Sequence, residues 1–390
     1  MKCRMFIAGL AGSLSMLAAP ASADIKIGFS GPLSGPGAAL GQDQYDGLML
    51  AVEQHGGKFG GQPVIVIKED DQVKPETGVQ IARKLIERDK VNAIVGMGYT
   101  NVLMAQLPQI VESGVVAIST NSGARAISGE GCKPNIFAAA WQSDGPAESM
   151  GVYAQNKGYG KVFLMAPNYQ AGKEMLEGFK RHFKGEVVEE LYTQLGQTDY
   201  SAEIVQLQTS DADALFVFYP GGMGINFVKQ MRQAGMMGKM PVLSVFTVDG
   251  TTLPALKNLA EGVVAGAMWS AGYDSPENNA FVKAFKDKYK RSPSMYAAAA
   301  YDAGNLLAIA AEKLNGDVAD NQAFAKAVRE AGDELKSVRG PFKFNNNHMP
   351  IQNYYAFEAV ADGGDDVVLK KIATPLEMHK DIYHQQCSMS

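Results

Sequence analysis

Small polar side chains follow two short apolar runs near residue 100, and their types suit the binding of an anion. One predicted strand ends just before Tyr99 and Thr100, and the next ends just before Asn121 and Ser122. Because neighbouring parallel strands place their carboxyl ends at one edge of a sheet, we expect these loops to line a common crevice. Hydroxyl groups, an amide and the backbone N–H groups of the following helix would form an uncharged cradle of donors for a carboxylate.

Aromatic side chains occupy the same kind of position in four predicted loops. Tyr99, Trp141, Tyr169 and Phe246 each follow a predicted strand, and Gly221 lies in a further loop of this type. A single aromatic residue in such a loop more often packs against its neighbours than contacts a ligand. Four that face one crevice would form a flat, apolar slot, and small-molecule sites are mostly apolar with a few placed polar groups.

Catalytic, metal and phosphate motifs are missing from the sequence. No Gly-x-Ser-x-Gly or His-Glu-x-x-His pattern occurs, and the glycine-rich loop after the first predicted strand has neither dinucleotide nor P-loop spacing. His379 and His384 lie close to Cys387, but this spacing is more typical of a polar tail than of a metal site. The sequence therefore predicts a binding protein without metal or cofactor, and a secreted enzyme is the less favoured alternative.

The N-terminus has the features of an export signal. Lys2 and Arg4 precede an apolar run over Met5–Ala19, and an A-x-A cleavage pattern ends at Ala23. We therefore predict a signal peptide over residues 1–23, cleavage after Ala23 and a mature protein in the periplasm. Removal of two positive charges changes the formal net charge from −5 to −7. The remaining charges are interspersed without basic blocks, so nothing favours nucleic-acid binding.

Two cysteines remain after this cleavage, Cys132 and Cys387. An even number of cysteines in an oxidising compartment favours a disulfide. The alternative is a pair of free thiols, and the cysteine count alone leaves it open.

Strand and helix patterns alternate over most of the chain. Its 390 residues, 46% hydrophobic and 20% charged, are typical of a soluble α/β protein with two domains. Two series of strand, loop and helix, roughly 24–140 and 141–270, predict two doubly wound parallel sheets. Helical segments and a hairpin follow, so we expect the chain to cross back between the lobes. Lobes joined by several crossovers form a hinge and close on ligands.

From Ile25 to about Phe357 the order of elements resembles the type I periplasmic solute-binding proteins of ABC importers, especially the branch of the leucine/isoleucine/valine-binding protein. The runs that carry the resemblance are IKIGFSGPLSGPGAALGQDQYDGLMLAVEQ, EDDQVKPETGVQIARKLI, VNAIVGMGYTN, VVAIST, MAPNYQAGKEMLEGFK, TDYSAEIVQLQ and VRGPFKFNNN. No single run is decisive, but their order and spacing extend over nearly the whole mature chain. The resemblance implies two lobes joined by a three-crossover hinge, a ligand in the cleft and delivery of that ligand to a membrane permease.

The lobes expected from this resemblance are discontinuous in sequence. Residues 24–141 and about 274–341 would form the first lobe. Residues 142–273 and about 342–390 would form the second lobe, and the protein is expected to act as a monomer.

The resemblance also implies roles for individual residues. In the amino-acid binders of this family, a hydroxyl after the third strand and groups after the fourth hold the ligand carboxylate, and these places fall on Thr100, Asn121 and Ser122. An acidic residue in a loop of the second lobe holds the amino group, and that place falls on Phe246, with Asp249 three residues further on. This departure argues against an α-amino acid as the ligand.

A narrower resemblance concerns the ligand class. The runs WQSD, APNYQAG and FYPGGMGINF, with Cys132 and Cys387, resemble a sub-branch associated with aromatic carboxylates such as benzoate- and cinnamate-type acids. The same resemblance favours pairing of the two cysteines. We therefore predict binding of an aromatic acid for import. The alternatives are uptake of a branched-chain amino acid or an amide, and a ligand-sensing receptor of the same fold.

Overall fold

Two α/β lobes make up the molecule, each built on one largely parallel sheet. The computed structural model describes residues 24–364 and 366–389, and the predicted signal peptide lies outside them. The strands are β1 (Ile25–Gly31), β2 (Lys58–Phe59), β3 (Gln62–Asp70), β4 (Ala93–Gly96), β5 (Val116–Ser119), β6 (Ile136–Ala138), β7 (Lys161–Pro167), β8 (Glu186–Thr193), β9 (Ala214–Phe218), β10 (Val242–Val245), β11 (Val264–Ala267), β12 (Lys343–Phe344), β13 (Pro350–Ala361) and β14 (Val367–His379). The helices are α1 (Ala38–Gln54), α2 (Pro75–Arg83), α3 (Thr100–Ser113), α4 (Arg125–Ser128), α5 (Asp144–Lys157), α6 (Gln170–His182), α7 (Ser201–Thr209), α8 (Gly222–Gln233), α9 (Leu253–Leu256), α10 (Pro276–Tyr289), α11 (Met295–Lys313) and α12 (Asn321–Ala331).

The first sheet has the order β2-β3-β1-β4-β5-β6, and only the β2–β3 pair is antiparallel. Strands β4, β5 and β6 are short, mostly apolar and buried throughout, and Phe29, Val95, Ile118 and Phe137 are fully buried. Gly96 at the end of β4 is in register with Ser119 at the end of β5. The loops that follow these strands therefore lie side by side, as the sequence predicts.

The second sheet contains eight strands in the order β12-β13-β11-β10-β9-β7-β8, with β14 paired to β13. The strands from β8 to β11 are parallel, whereas β13 is antiparallel to its neighbours β11, β12 and β14. The terminal hairpin is longer than the predicted strands over residues 354–360 and 367–372, because β13 gains pairing to β12 at its start. Val245 at the end of β10 is in register with Phe218 at the end of β9.

Helix α3 begins two residues earlier than the predicted start near Val102. Tyr99 has an extended backbone, with φ −127° and ψ 140°, and therefore forms the boundary from which the helix begins. Thr100 consequently occupies the first turn of the helix, where backbone N–H groups lack partners within the helix.

The chain passes between the lobes three times, between β6 and α5, between β11 and α10, and between α12 and β13. Helices α11 and α12 return to the first lobe, where they pack on the same core as β1 and β4. The predicted two-lobed fold with three crossovers is confirmed, while the residue boundaries of the lobes stay a prediction. In the part of the chain that the structure describes, none of the helices has both the length and the apolar character needed to span a bilayer.

A buried arginine in the third crossover forms an ion pair with α11 and a hydrogen bond with the first crossover. The Arg339 guanidinium donates from Nε to Asp302 Oδ2 of α11 at 2.9 Å and from Nη1 to the Ala140 carbonyl at 2.7 Å. Nη1 also donates to Gln352 Oε1 at 2.9 Å, and Gln352 donates to the same Ala140 carbonyl at 2.8 Å. Both charged side chains are almost fully buried. The additional hydrogen bonds are therefore needed to offset the cost of removing the two charges from water.

Cys132 and Cys387 form a disulfide, with their Cα atoms 5.8 Å apart. Cys132 lies between α4 and β6 of the first lobe, whereas Cys387 follows β14 of the second sheet. The predicted pairing is confirmed. The bond adds a covalent connection between the lobes to the three crossovers of the chain.

We expect this disulfide to stabilise the folded protein measurably. It closes a loop with a sequence separation of 255 residues, and bonds of this kind typically add about 2–4 kcal/mol to the free energy of unfolding. Denaturant unfolding with and without a reductant should show this difference. A C132S/C387S double variant should unfold like the reduced protein and be insensitive to reductant, and equal stability of the oxidised and reduced wild type would contradict the expectation.

Candidate functional site

A cavity between the lobes collects loops from the carboxyl ends of strands in both sheets. None of the side chains that line it carries a formal charge. They are Gly98, Tyr99, Thr100, Asn121, Ser122, Trp141, Ser143, Tyr169, Ala171, Met175, Phe218, Pro220, Phe246 and Tyr296.

Hydroxyl groups from neighbouring loops of the first lobe meet at one part of this cavity. Thr100 Oγ1 and Ser122 Oγ are 2.8 Å apart, and both side chains are nearly fully buried. The Asn121 amide donates to the Gly98 carbonyl, which fixes the loop after β5 to the loop after β4. The predicted polar cluster is therefore assembled, although the Asn121 amide nitrogen already serves the backbone.

Three helices begin at the cavity. Thr100 is the first residue of α3, Ser143 precedes the first residue of α5, and Tyr169 precedes the first residue of α6. Each helix has at least 13 residues, and each carries a partial positive charge at its N-terminus. An uncharged cavity that receives three such ends is suited to an anion.

Aromatic rings form much of the remaining wall. The rings of Trp141 and Phe246 stack with centroids 4.9 Å apart and an interplanar angle of 27°. Tyr169 stacks on Phe218 with centroids 6.2 Å apart, and Phe218 meets Phe246 edge-on at 5.9 Å. Tyr296 extends this surface, 6.0 Å from Trp141. Offset and edge-on arrangements of this kind are the ones that aromatic rings prefer, so a further ring from a ligand would be accommodated by the same geometry.

The backbone is strained where two of these loops leave their sheets. Met97 after β4 and Phe246 after β10 have φ values of 56° and 57°. Large side chains rarely adopt such values, and the cost of order 1–3 kcal/mol must be offset by surrounding packing. Each residue directly follows a strand, and residues of the loop that it begins line the cavity.

Two predicted site residues do not line the cavity. Gly221 lies against the other lobe, where an added Cβ atom would come within 2.8 Å of the Pro36 carbonyl oxygen. Asp249 lies behind Tyr296, a lining residue whose Oη donates to Asp249 Oδ2 at 2.9 Å, and does not itself line the cavity. The other seven predicted residues, Tyr99, Thr100, Asn121, Ser122, Trp141, Tyr169 and Phe246, all line it. Their roles in binding stay a prediction.

Several lining residues were not predicted from the sequence. Phe218 is the last residue of β9 and Pro220 lies two residues further on, so the rule that points to strand ends could have identified them. Ser143 immediately precedes α5 and could have been found in the same way. Tyr296 is different because it lies near the start of α11, a helix that reaches the cleft only after the second crossover. No local sequence signal marks such a residue.

A larger groove, of about 1280 Å³, shares Phe246 with the cavity and is lined by the second lobe together with α10 and the start of α11. Its wall includes Asp249, Trp269, Tyr273 and Lys371. We favour the cavity as the functional site despite its smaller size, because the groove lacks the loops of the first sheet and the three helix N-termini.

A contact beside the cavity joins the lobes through Glu174 of α6. Its Oε1 accepts hydrogen bonds from the backbone N–H of Arg125 in the first lobe at 3.1 Å and from Gln170 Nε2 at 2.7 Å. Its Oε2 is buried and has no hydrogen-bond partner among the described residues. Burial raises the pKa of Glu174 from 4.5 to about 7, and the nearby Asp144 carboxylate adds to the rise.

Comparisons with known proteins agree with this geometry. The sequence profile described as "Periplasmic binding protein" matches residues 24–365. A Brucella melitensis protein named Leu/Ile/Val-binding protein homolog 6 is 29% identical over 368 residues, which cover 90% of this chain and 92% of that protein.

Solved structures of ABC transporter solute-binding proteins are also similar. One from R. palustris, in complex with benzoate, has a TM-score of 0.87 and 29% identity and covers 93% of this chain and 99% of its own. Another, from Rhodopseudomonas palustris BisB5 in complex with 3,4-dihydroxybenzoic acid, has a TM-score of 0.85 and 28% identity, with coverage of 92% and 99%. The chain therefore belongs to the periplasmic binding protein family, and its fold is that of the solute-binding proteins of ABC transporters.

Proposed function

We propose that this protein is the extracytoplasmic solute-binding component of an ABC importer and that its ligand is a small aromatic carboxylate of the benzoate or cinnamate type. The ligand binds between the lobes and is delivered to a membrane permease. The protein acts as a monomer in the periplasm after cleavage behind Ala23, and it catalyses no reaction.

The observation that carries this proposal is the combination of an uncharged aromatic cavity with three helix N-termini. The N-termini of α3 and α6 and the hydroxyls of Thr100 and Ser122 offer donors to a carboxylate, whereas the first N–H groups of α5 already donate to Gln142, so this helix contributes only its dipole. The rings of Trp141, Phe218 and Phe246 offer apolar surface to the rest of the ligand. The similar R. palustris structures, which hold benzoate and 3,4-dihydroxybenzoic acid, support the same ligand class.

A branched-chain amino acid is the second candidate, and the name of the Brucella relative favours it. Such a ligand carries an ammonium group, which needs a carboxylate or several other acceptors when it is buried. No lining side chain is acidic, and Asp249 is already bonded to Tyr296. The aromatic acid is therefore the better match to the cavity.

A ligand panel tests the proposal directly. We expect benzoate, cinnamate or a ring-hydroxylated benzoate to bind the purified protein and to raise its thermal midpoint, because a ligand of the folded state stabilises it by mass action. Leucine and phenylalanine serve as the comparison. Binding of leucine in calorimetry, without a response to any aromatic acid, would refute the proposed ligand class.

Thr100 provides a test of the carboxylate position. Replacing Thr100 with Val removes one hydroxyl donor and should weaken binding of the aromatic acid by about 1–3 kcal/mol, the usual cost of an unpaired buried acceptor. Thr100→Ser keeps the hydroxyl and should retain most of the affinity. Calorimetric titration of both variants checks this, and equal affinity of wild type and Thr100→Val would remove Thr100 from the site.

The Glu174 contact predicts a pH dependence of binding. Its pKa is raised to about 7 where the lobes meet, whereas in an open, hydrated form we expect a value near that of free glutamate, about 4.3. Closure of the lobes is therefore most favourable when the pH is below about 4.3, the pKa of the open form. It is weakened as the pH rises through about 7. We expect affinity for the aromatic acid to fall by roughly thirtyfold between pH 5.5 and 8, since each pH unit between these limits and below the raised pKa contributes about a factor of ten.

Glu174→Gln should remove most of this dependence, because the amide stays neutral. Glu177→Gln is the matched control. Glu177 lies on the same helix as Glu174 and pairs with Arg125, but its side chain is about half exposed. Carboxylic acid ligands are ionised throughout this pH range, so the comparison reports on the protein. An unchanged pH profile in Glu174→Gln would show that another group causes the dependence.

A further inference from the structure

We propose that Tyr296 determines the specificity of the cleft against α-amino acids by holding the Asp249 carboxylate in a position where it cannot receive an ammonium group. This inference rests on the proposed function, because it concerns the choice between an aromatic acid and its α-amino counterpart. It adds a residue from a helix of the first lobe to the loops that form the site.

Asp249 is the acidic residue nearest to the cavity in the loop after β10, three residues beyond Phe246. Its Oδ1 accepts from the Thr251 backbone N–H and the Thr251 hydroxyl, both at 2.7 Å, and from the Thr252 backbone N–H at 3.3 Å. Its Oδ2 accepts from Tyr296 Oη at 2.9 Å. Both oxygens therefore have donors, and the side chain is only 2% exposed.

Tyr296 is well fixed for this role. Its ring lines the cavity between Trp141 and Phe246, at centroid distances of 6.0 and 6.4 Å. The start of α11 is anchored in the first lobe, where the Ser294 backbone N–H donates to Asp43 Oδ2 at 2.9 Å and the Ser294 hydroxyl caps the Tyr296 N–H. The Tyr296–Asp249 hydrogen bond therefore connects the two lobes at the wall of the cavity.

The charge of Asp249 reaches the residues around the ligand position. Burial, followed by the charge of Asp249, raises the pKa of Tyr99 well above its ordinary range, and the same two causes act on Tyr296. Tyr99 lines the cavity from the first lobe. Burial also raises the pKa of Asp249 itself, so it is the ionised form of this carboxylate that would attract an ammonium group. Its Oδ2 is bonded to the hydroxyl of Tyr296, which lines the cavity, and this hydroxyl therefore occupies the oxygen.

Removal of the hydroxyl should change this balance without removing the ring. In Tyr296→Phe, Oδ2 of Asp249 loses its donor and becomes a buried, unpaired acceptor. Such an acceptor is stabilised by a cation, and it repels a nearby carboxylate. The variant should therefore accept an α-ammonium group more readily than the wild type does.

The test uses two ligands that differ only in the α-amino group, 3-phenylpropanoate and phenylalanine. We expect the wild type to prefer 3-phenylpropanoate. The dissociation constant of phenylalanine divided by that of 3-phenylpropanoate should fall at least tenfold in Tyr296→Phe. Thr251→Val is the matched control, because it removes a donor from Oδ1 on the far side of the same carboxylate and should leave the ratio unchanged. A Tyr296→Phe/Asp249→Asn double variant should restore the wild-type preference, because it lacks the negative charge. Circular dichroism and thermal unfolding establish that each variant is folded.

The outcomes separate the two proposals. A wild type that prefers 3-phenylpropanoate, together with an unchanged ratio in folded Tyr296→Phe, would overturn the role of Tyr296 and leave the proposed ligand class intact. A wild type that binds phenylalanine as tightly as 3-phenylpropanoate would overturn both. If Tyr296→Phe does not fold, Asp249→Asn in the wild-type background gives the second measurement. The hydrogen bond from Tyr296 already keeps Asp249 Oδ2 from accepting an ammonium group, so Asp249→Asn should leave the preference unchanged, and a loss of preference would contradict the proposal.

Discussion

The buried pair of Arg339 and Asp302 fixes the junction on which the cleft depends. Arg339 lies in the third crossover, Asp302 lies on α11, and the Ala140 carbonyl that Arg339 holds belongs to the first crossover. Trp141 is the next residue in the first crossover, and Tyr296 is on the same helix as Asp302, so the pair positions two walls of the cavity. Breaking a buried pair by removing one partner typically costs about 3–5 kcal/mol, because it leaves an uncompensated charge. The junction therefore has little freedom to rearrange without loss of the fold.

The topology explains how a cavity without a cationic side chain can suit an anion. Parallel sheets place strand ends and the N-termini of the following helices at one edge, and the two sheets face each other across the cleft. The partial charges of α3, α5 and α6 are fixed by the backbone, so they cost no side-chain ordering when a ligand binds. An arginine or lysine would give a stronger attraction but would also have to be desolvated in an aromatic cavity. The arrangement suits a ligand with one carboxylate and an otherwise apolar body.

The lobes are joined by more than the chain crossovers. Glu174 contacts Arg125 across the cleft, Tyr296 contacts Asp249, and the disulfide ties the C-terminal segment to the first lobe. Tyr383 of that segment in turn donates to Asp144 Oδ2 at 2.6 Å, at the start of α5. A separation of the lobes would break the first two contacts, which are hydrogen bonds, whereas the disulfide would remain. Polar contacts with modest net energies are suited to this, since they can be exchanged for water when the lobes separate.

The sequence by itself determined the alternation of strands and helices, the two lobes and half of the residues in the cavity wall. The hydrophobic period and the turn residues are local signals that predict where strands end. Because ligands bind at the carboxyl ends of parallel strands, these signals also predict that Thr100, Ser122, Trp141 and Phe246 line the cleft. The start of α3 at Thr100 was missed by two residues, because the boundary depends on the backbone of Tyr99 and not on residue type. Only the tertiary structure decided the orientation of Asp249 and the inclusion of Tyr296. Both depend on contacts between residues 47 positions apart, and such contacts arise when α11 returns to the cleft through a crossover that leaves no local pattern in the sequence.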